Sequence, residues 1–69
     1  MEFKTIENNF TYHAPKEGQP QLYSDLRAKG KELALMINQF VPVSREQSLA
    51  ITKLEECVFW ANAGIARNT

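Results

Sequence analysis

Between Ser44 and Ala63 the chain contains neither glycine nor proline, and this unbroken run, ended by Gly64, narrows most what the polypeptide can become. Ser44 with Gln47 three residues later predicts a capping box, in which the hydroxyl and the side-chain amide satisfy open backbone donors in a helix's first turn. At about 100° per residue, Ala50, Ile51, Leu54, Cys57, Val58, Ala61 and Ile65 fall on one face. The run is an amphipathic helix. Pro42 stops any helix that precedes it, because it lacks an amide donor and restricts the residue before it. Pro20 suits a helix's first turn, where that donor would be unpaired anyway. An earlier helix is therefore predicted from about residue 20 to 40, with Leu22, Leu26, Gly30, Leu33, Ile37 and Phe40 on its core side and Met36 at the margin. The short connection makes the two helices an antiparallel hairpin.

Ahead of the hairpin, Asn8-Asn9, Ala14-Pro15 and Gly18-Gln19-Pro20 are turn or extended signals, and Phe10-Thr11-Tyr12 alternates like a short extended segment. The chain thus divides into an N-terminal arm, residues 1–19, and a helical hairpin domain, residues 20–69. With 69 residues, 43% of them hydrophobic, a lone hairpin has a marginal core. Leu35, Leu49, Phe59 and Trp60 lie away from the helices' core faces. Burial of these side chains between copies predicts a homo-oligomer. The alternative is that the arm folds back over them within one protomer. The expected fold class is all-α: an antiparallel two-helix hairpin with an N-terminal extended arm, assembled as a homo-oligomer.

Eight basic and eight acidic side chains cancel, so no global field draws the chain onto DNA, RNA or an anionic membrane. Met1-Glu2-Phe3-Lys4 lacks a hydrophobic signal region and no apolar run approaches membrane length, which predicts a soluble, cytoplasmic protein. One cysteine, Cys57, rules out an intrachain disulfide and is expected on the inner helical face as a small core residue. One histidine, His13, excludes a multi-histidine metal cluster, and the three isolated glycines form no phosphate-cradling motif. Glu55 and Glu56 diverge by about 100° on a helix and are not a carboxylate pair. No enzyme activity, metal or cofactor is expected.

Binding has more support. Phe10, Tyr12 and His13 supply flat rings within four residues, with Lys16 close behind, a grouping that stacks on a base and meets a phosphate. The same rings packing against the helices is the plainer reading. Tyr23, Arg27 and Lys31 recur at i, i+4 and i+8 and make a cationic stripe beside the core face, suited either to phosphate or to pairing with carboxylates. Arg67 stands near a helix C-terminus, where the dipole favours positive charge in any case.

The order of residues adds to this. Lys31-Glu32-Leu33-Ala34, the segment Pro42 to Ala50, Thr52 to Glu56, Trp60-Ala61-Asn62 and Ile65-Ala66-Arg67 resemble the hairpin domain of phage anti-CBASS cyclic-oligonucleotide sponges, which Thoeris anti-defence sponges share. The resemblance covers roughly residues 20 to 67, and Phe10 to Pro15 also look like the family's N-terminal segment. It implies a homo-oligomer, typically a hexamer, that binds cyclic di- and trinucleotides without degrading them in the cytoplasm of an infected bacterial host cell. It favours Tyr12 as the ring that stacks on a base and Arg27 or Lys31 as the phosphate contact, in sites formed between subunits. His13, Lys16 and Tyr23 flank these positions, and Arg67 is a candidate for a separate trinucleotide pocket. The competing reading is a small helical protein–protein interaction module with no nucleotide ligand, docking through Leu49, Phe59 and Trp60.

Overall fold

In a computed structural model that describes residues 2–69, the chain forms three helices: α1 (Phe3–Asn9), α2 (Gln19–Phe40) and α3 (Arg45–Asn68). Gly18 precedes α2 with φ 83°, a left-handed conformation that glycine adopts without steric cost, and Pro20 follows in the first turn. Gln19, buried, fastens this start at two points. Its Oε1 accepts from the Lys16 amide at 2.9 Å and its Nε2 donates to Thr69 Oγ1 at 2.6 Å, so the beginning of α2 is tied to the end of α3. At the other end α2 gives way to extended backbone at Val41, immediately before Pro42.

Only half of the expected capping box forms. Ser44 Oγ accepts from the Gln47 amide at 3.1 Å, which caps α3. The Gln47 side chain does not return to Ser44 but donates from Nε2 to the carbonyls of Val41 at 2.9 Å and Asn38 at 3.3 Å. Those carbonyls close α2, where no intrahelical donor reaches them, and a buried amide needs such partners. Gln47 is therefore the clasp of the hairpin's closed end.

The helices meet along a narrower seam than the sequence stripes suggest. Leu26, Gly30, Ala34 and Ile37 of α2 and Ile51, Leu54, Val58, Ala61 and Ile65 of α3 are half-buried. Leu22, Leu33 and Phe40, expected in the core, are exposed, as are Ala50 and Cys57. A helix with one partner covers only the row of side chains directly facing that partner. Cys57 precedes Val58 by one residue and stands about 100° from it around the axis, which places it outside the seam.

Gly30 sets the closeness of approach. A Cβ at this position would lie 2.7 Å from Val58 Cγ2. Val58 is β-branched and has essentially one helical rotamer, so it cannot step aside. Gly30→Ala should gain about 0.5–1 kcal/mol of helix propensity and lose about 1–3 kcal/mol to overpacking, a net loss. Adding Val58→Ala should recover part of it. Thermal unfolding at fixed protein concentration reads both changes, and a higher midpoint for Gly30→Ala alone would refute the tight approach.

The arm departs from expectation. Phe3 to Asn9 is helical rather than extended, and Phe3, Ile6 and Phe10, which recur at i, i+3 and i+7, remain exposed. Asn8 Nδ2 donates to the Arg67 carbonyl at 3.2 Å and so holds the arm at the C-terminal end of α3. Phe59 and Trp60 stay 62% and 61% exposed, so the arm leaves them largely uncovered. The whole is a thin plate, 44 × 29 × 12 Å, and its smallest extent is close to one helix diameter. Its radius of gyration is 15.1 Å, against about 11 Å for a compact domain of this length. It exposes 5758 Å², where a compact monomer of this mass exposes about 4,400 Å². Among the described residues no hydrophobic side chain is fully buried. One layer of helices has nothing beneath it to pack on.

Candidate functional site

At the open end of the hairpin the arm, α2 and α3 converge on a concavity of about 470 Å³. Tyr12 and His13 enter from the segment after α1, Tyr23 from α2, and Phe59, Asn62 and Arg67 from α3. Asn8 organises this corner. Its side chain grips the Arg67 carbonyl while its own carbonyl lies 2.9 Å from His13 Nε2. A carbonyl only accepts, so His13 carries a proton on Nε2 and donates it, which leaves Nδ1 on the ring's other edge. The anchored His13 holds the neighbouring Tyr12 at the rim, where its ring is 83% exposed. Phe59 meets Trp60 edge to face, with centroids 5.5 Å apart and planes at 82°. Asn62 Oδ1 is shut off from solvent and has no hydrogen-bond partner among the described residues.

A second, larger groove of about 660 Å³ runs along the helical seam. Arg27 and Lys31 stand on its α2 side and Glu55 on its α3 side, over a floor that includes Ala34, Leu54 and Val58. Among the described residues the ion pairs are Lys29–Glu32 and Lys53–Glu56, each at 3.5 Å and exposed. Exposed pairs of this kind contribute little. Arg27 and Lys31 belong to neither, so the carboxylate pairing weighed from the sequence does not occupy them within the protomer.

The candidate residues are thus divided. Tyr12, His13, Tyr23 and Arg67 share the end groove, Arg27 and Lys31 share the seam groove, and Lys16 lines neither. Arg67 also borders a shallow recess of about 370 Å³ with Lys4, Thr5, Asn8 and Asn68. Sequence reasoning missed Asn8 and Asn62. Asn8 and Asn9, read as a turn signal, are instead the last two residues of α1, and the partner of the Asn8 side chain lies 59 positions away. Asn62, a polar residue between Ala61 and Ala63 on an otherwise apolar helical turn, was a readable anomaly.

Rings at the end groove can stack on planar bases, and the two cations of the seam groove can meet anions. Among the described residues no cluster of His, Cys, Asp and Glu could hold a metal ion, and no helix is long and apolar enough to cross a membrane. The arrangement is a helical hairpin that carries two grooves of different chemistry. The sequence model of the family described as Acb2/Tad1, hairpin domain, matches residues 3–66. The chain belongs to this family, the anti-CBASS and anti-Thoeris sponges. The match includes α1, so the family's domain takes in the arm as well as the hairpin. No curated protein and no solved structure matches the chain significantly.

Proposed function

We propose that this protein is a phage-encoded sponge that sequesters cyclic nucleotide second messengers and releases them unchanged, which starves CBASS-type antiviral effectors of their activator in the infected bacterial cytoplasm. The observation that carries the reading is membership of a sponge family across residues 3–66. Cyclic dinucleotides are the principal ligands, and cyclic trinucleotides use the recess beside Arg67. The protein acts without catalysis, because sequestration needs affinity and no positioned nucleophile.

The division of the candidate residues supports a site shared between copies. Tyr12 and the Arg27–Lys31 pair line different grooves of one protomer. A homo-oligomer, a hexamer in this reading, brings the Tyr12 ring of one copy to the cations of another. A cyclic dinucleotide presents two bases and two phosphates, and a two-fold seam offers rings and cations in matching pairs. A chain with no net charge suffices for such local recognition. His13 and Tyr23 complete the aromatic corner, and Lys16 stands outside it as a peripheral cation.

Calorimetry with a panel of cyclic di- and trinucleotides tests the reading. Binding followed by chromatographic recovery of the intact ring is expected. Arg27→Ala with Lys31→Ala should weaken binding and flatten its salt dependence, since screening acts on the charges removed. The exposed Phe59 and Trp60 favour one competitor, a protein-docking module, for which no cyclic nucleotide would give heat.

A further inference from the structure

We infer that Asn62 reads the base that Tyr12 stacks, by accepting a hydrogen bond from the base's amino group. The inference rests on the nucleotide-binding reading above and adds a specificity residue to it. Three observations converge. First, Asn62 Oδ1 is cut off from solvent and has no donor within the protomer, and buried polar atoms are nearly always paired. Second, Asn62 lines the end groove with Tyr12, Tyr23 and Phe59, so a turn of its amide brings the orphan acceptor to the wall against which a stacked ring would lie. Third, Asn62 stands within α3 and caps neither of its ends, so its Oδ1 does not serve the helix itself.

The chemistry of the amide narrows the ligand. A carboxamide places an acceptor and a donor side by side, which matches the amino group and adjacent ring nitrogen of adenine. The terminal torsion of asparagine is broad, so the amide can turn its oxygen to the groove without leaving a rotamer well. Pairing then satisfies an atom that is otherwise left unpaired. A guanine turned by its outer edge toward Asn62 shows two acceptors and no donor, and a base lacking an amino group leaves Oδ1 orphaned. The groove is thereby a reader of amino-bearing bases, adenine foremost.

The test uses the full chain, calorimetry and two ligands: cyclic di-adenylate and its analogue bearing dimethylated adenine amino groups, which cannot donate. Wild type should bind the parent about tenfold or more tightly than the analogue, the usual consequence of an unpaired buried acceptor. Asn62→Leu should bind both alike, at the analogue's level, while keeping its assembly and its unfolding midpoint. Equal affinity of Asn62→Leu and wild type for cyclic di-adenylate would overturn the inference while leaving the sponge reading in place. Altered sedimentation of Asn62→Leu would overturn it too, because the missing donor would then come from a second copy. If wild type binds no cyclic nucleotide at all, both readings fall together, and that result is distinguishable from the first two.

Discussion

Trp60→Ala should shift the protein from its assembled form to a smaller species in sedimentation, with little loss of helicity per chain. The ring is 61% exposed on a plate one helix thick, so its remaining area is free to be covered by a neighbour. At about 25 cal/mol per Å², covering that area contributes about 3 kcal/mol per contact, or about a hundredfold in association constant. A closed oligomer repeats the contact at every equivalent seam, which multiplies the effect. Phe59, edge to face with Trp60 at 5.5 Å, holds the ring's orientation and should show a weaker version of the same loss. Unaltered sedimentation of Trp60→Ala at micromolar protein would remove this side chain from the seam.

Tyr12→Ala should have the complementary effect, lost ligand affinity with assembly intact. The Tyr12 ring is 83% exposed at the rim of the end groove, so removing it takes almost nothing from the protomer. Stacking one base on an aromatic ring is worth about 1–3 kcal/mol. A dinucleotide held between two copies loses both rings at once, and the expected fall in affinity is about a hundredfold or more. Calorimetry measures it, with sedimentation as the control. Affinity within a factor of about two of wild type would place the stacked base elsewhere, and would leave Tyr23 or Phe59 as the ring that holds it.

The two substitutions separate the surface proposed to hold copies together from the surface proposed to hold ligand. Both lie on α3 or against it, yet they use opposite properties of exposure. Trp60 is exposed because the protomer has no second layer. Tyr12 is exposed because His13, one residue on, is fastened to the Asn8 carbonyl and leaves it at the rim.

Helix limits were legible because their causes are local. Pro20, Pro42 and the Ser44 hydroxyl act on backbone within a few residues, and the helices begin and end where those residues direct. The surplus of apolar side chains was legible for the same reason, since periodicity counts faces without knowing the partner. The α1 helix escaped because the turn signal of Asn8-Asn9 and the alternation of Phe10-Thr11-Tyr12 were extended to the whole arm, whereas the chain leaves the helix only at Phe10. Cys57 and Leu33 were assigned to a face of the correct helix but fall outside the seam, because the width of a buried face depends on how many neighbours a helix has.

From its sequence alone this chain was determined to be helical, hinged at Pro42, short of core and free of net charge, all consequences of neighbouring residues and composition. Only the tertiary structure decided that Gln47 clasps the end of α2, that Gly30 admits Val58, that Arg27 and Lys31 stand apart from Tyr12, and that Asn62 is left without a partner. Each of these depends on which atoms meet across two helices. That meeting is set by axial register and close approach, which residue spacing within one helix does not encode.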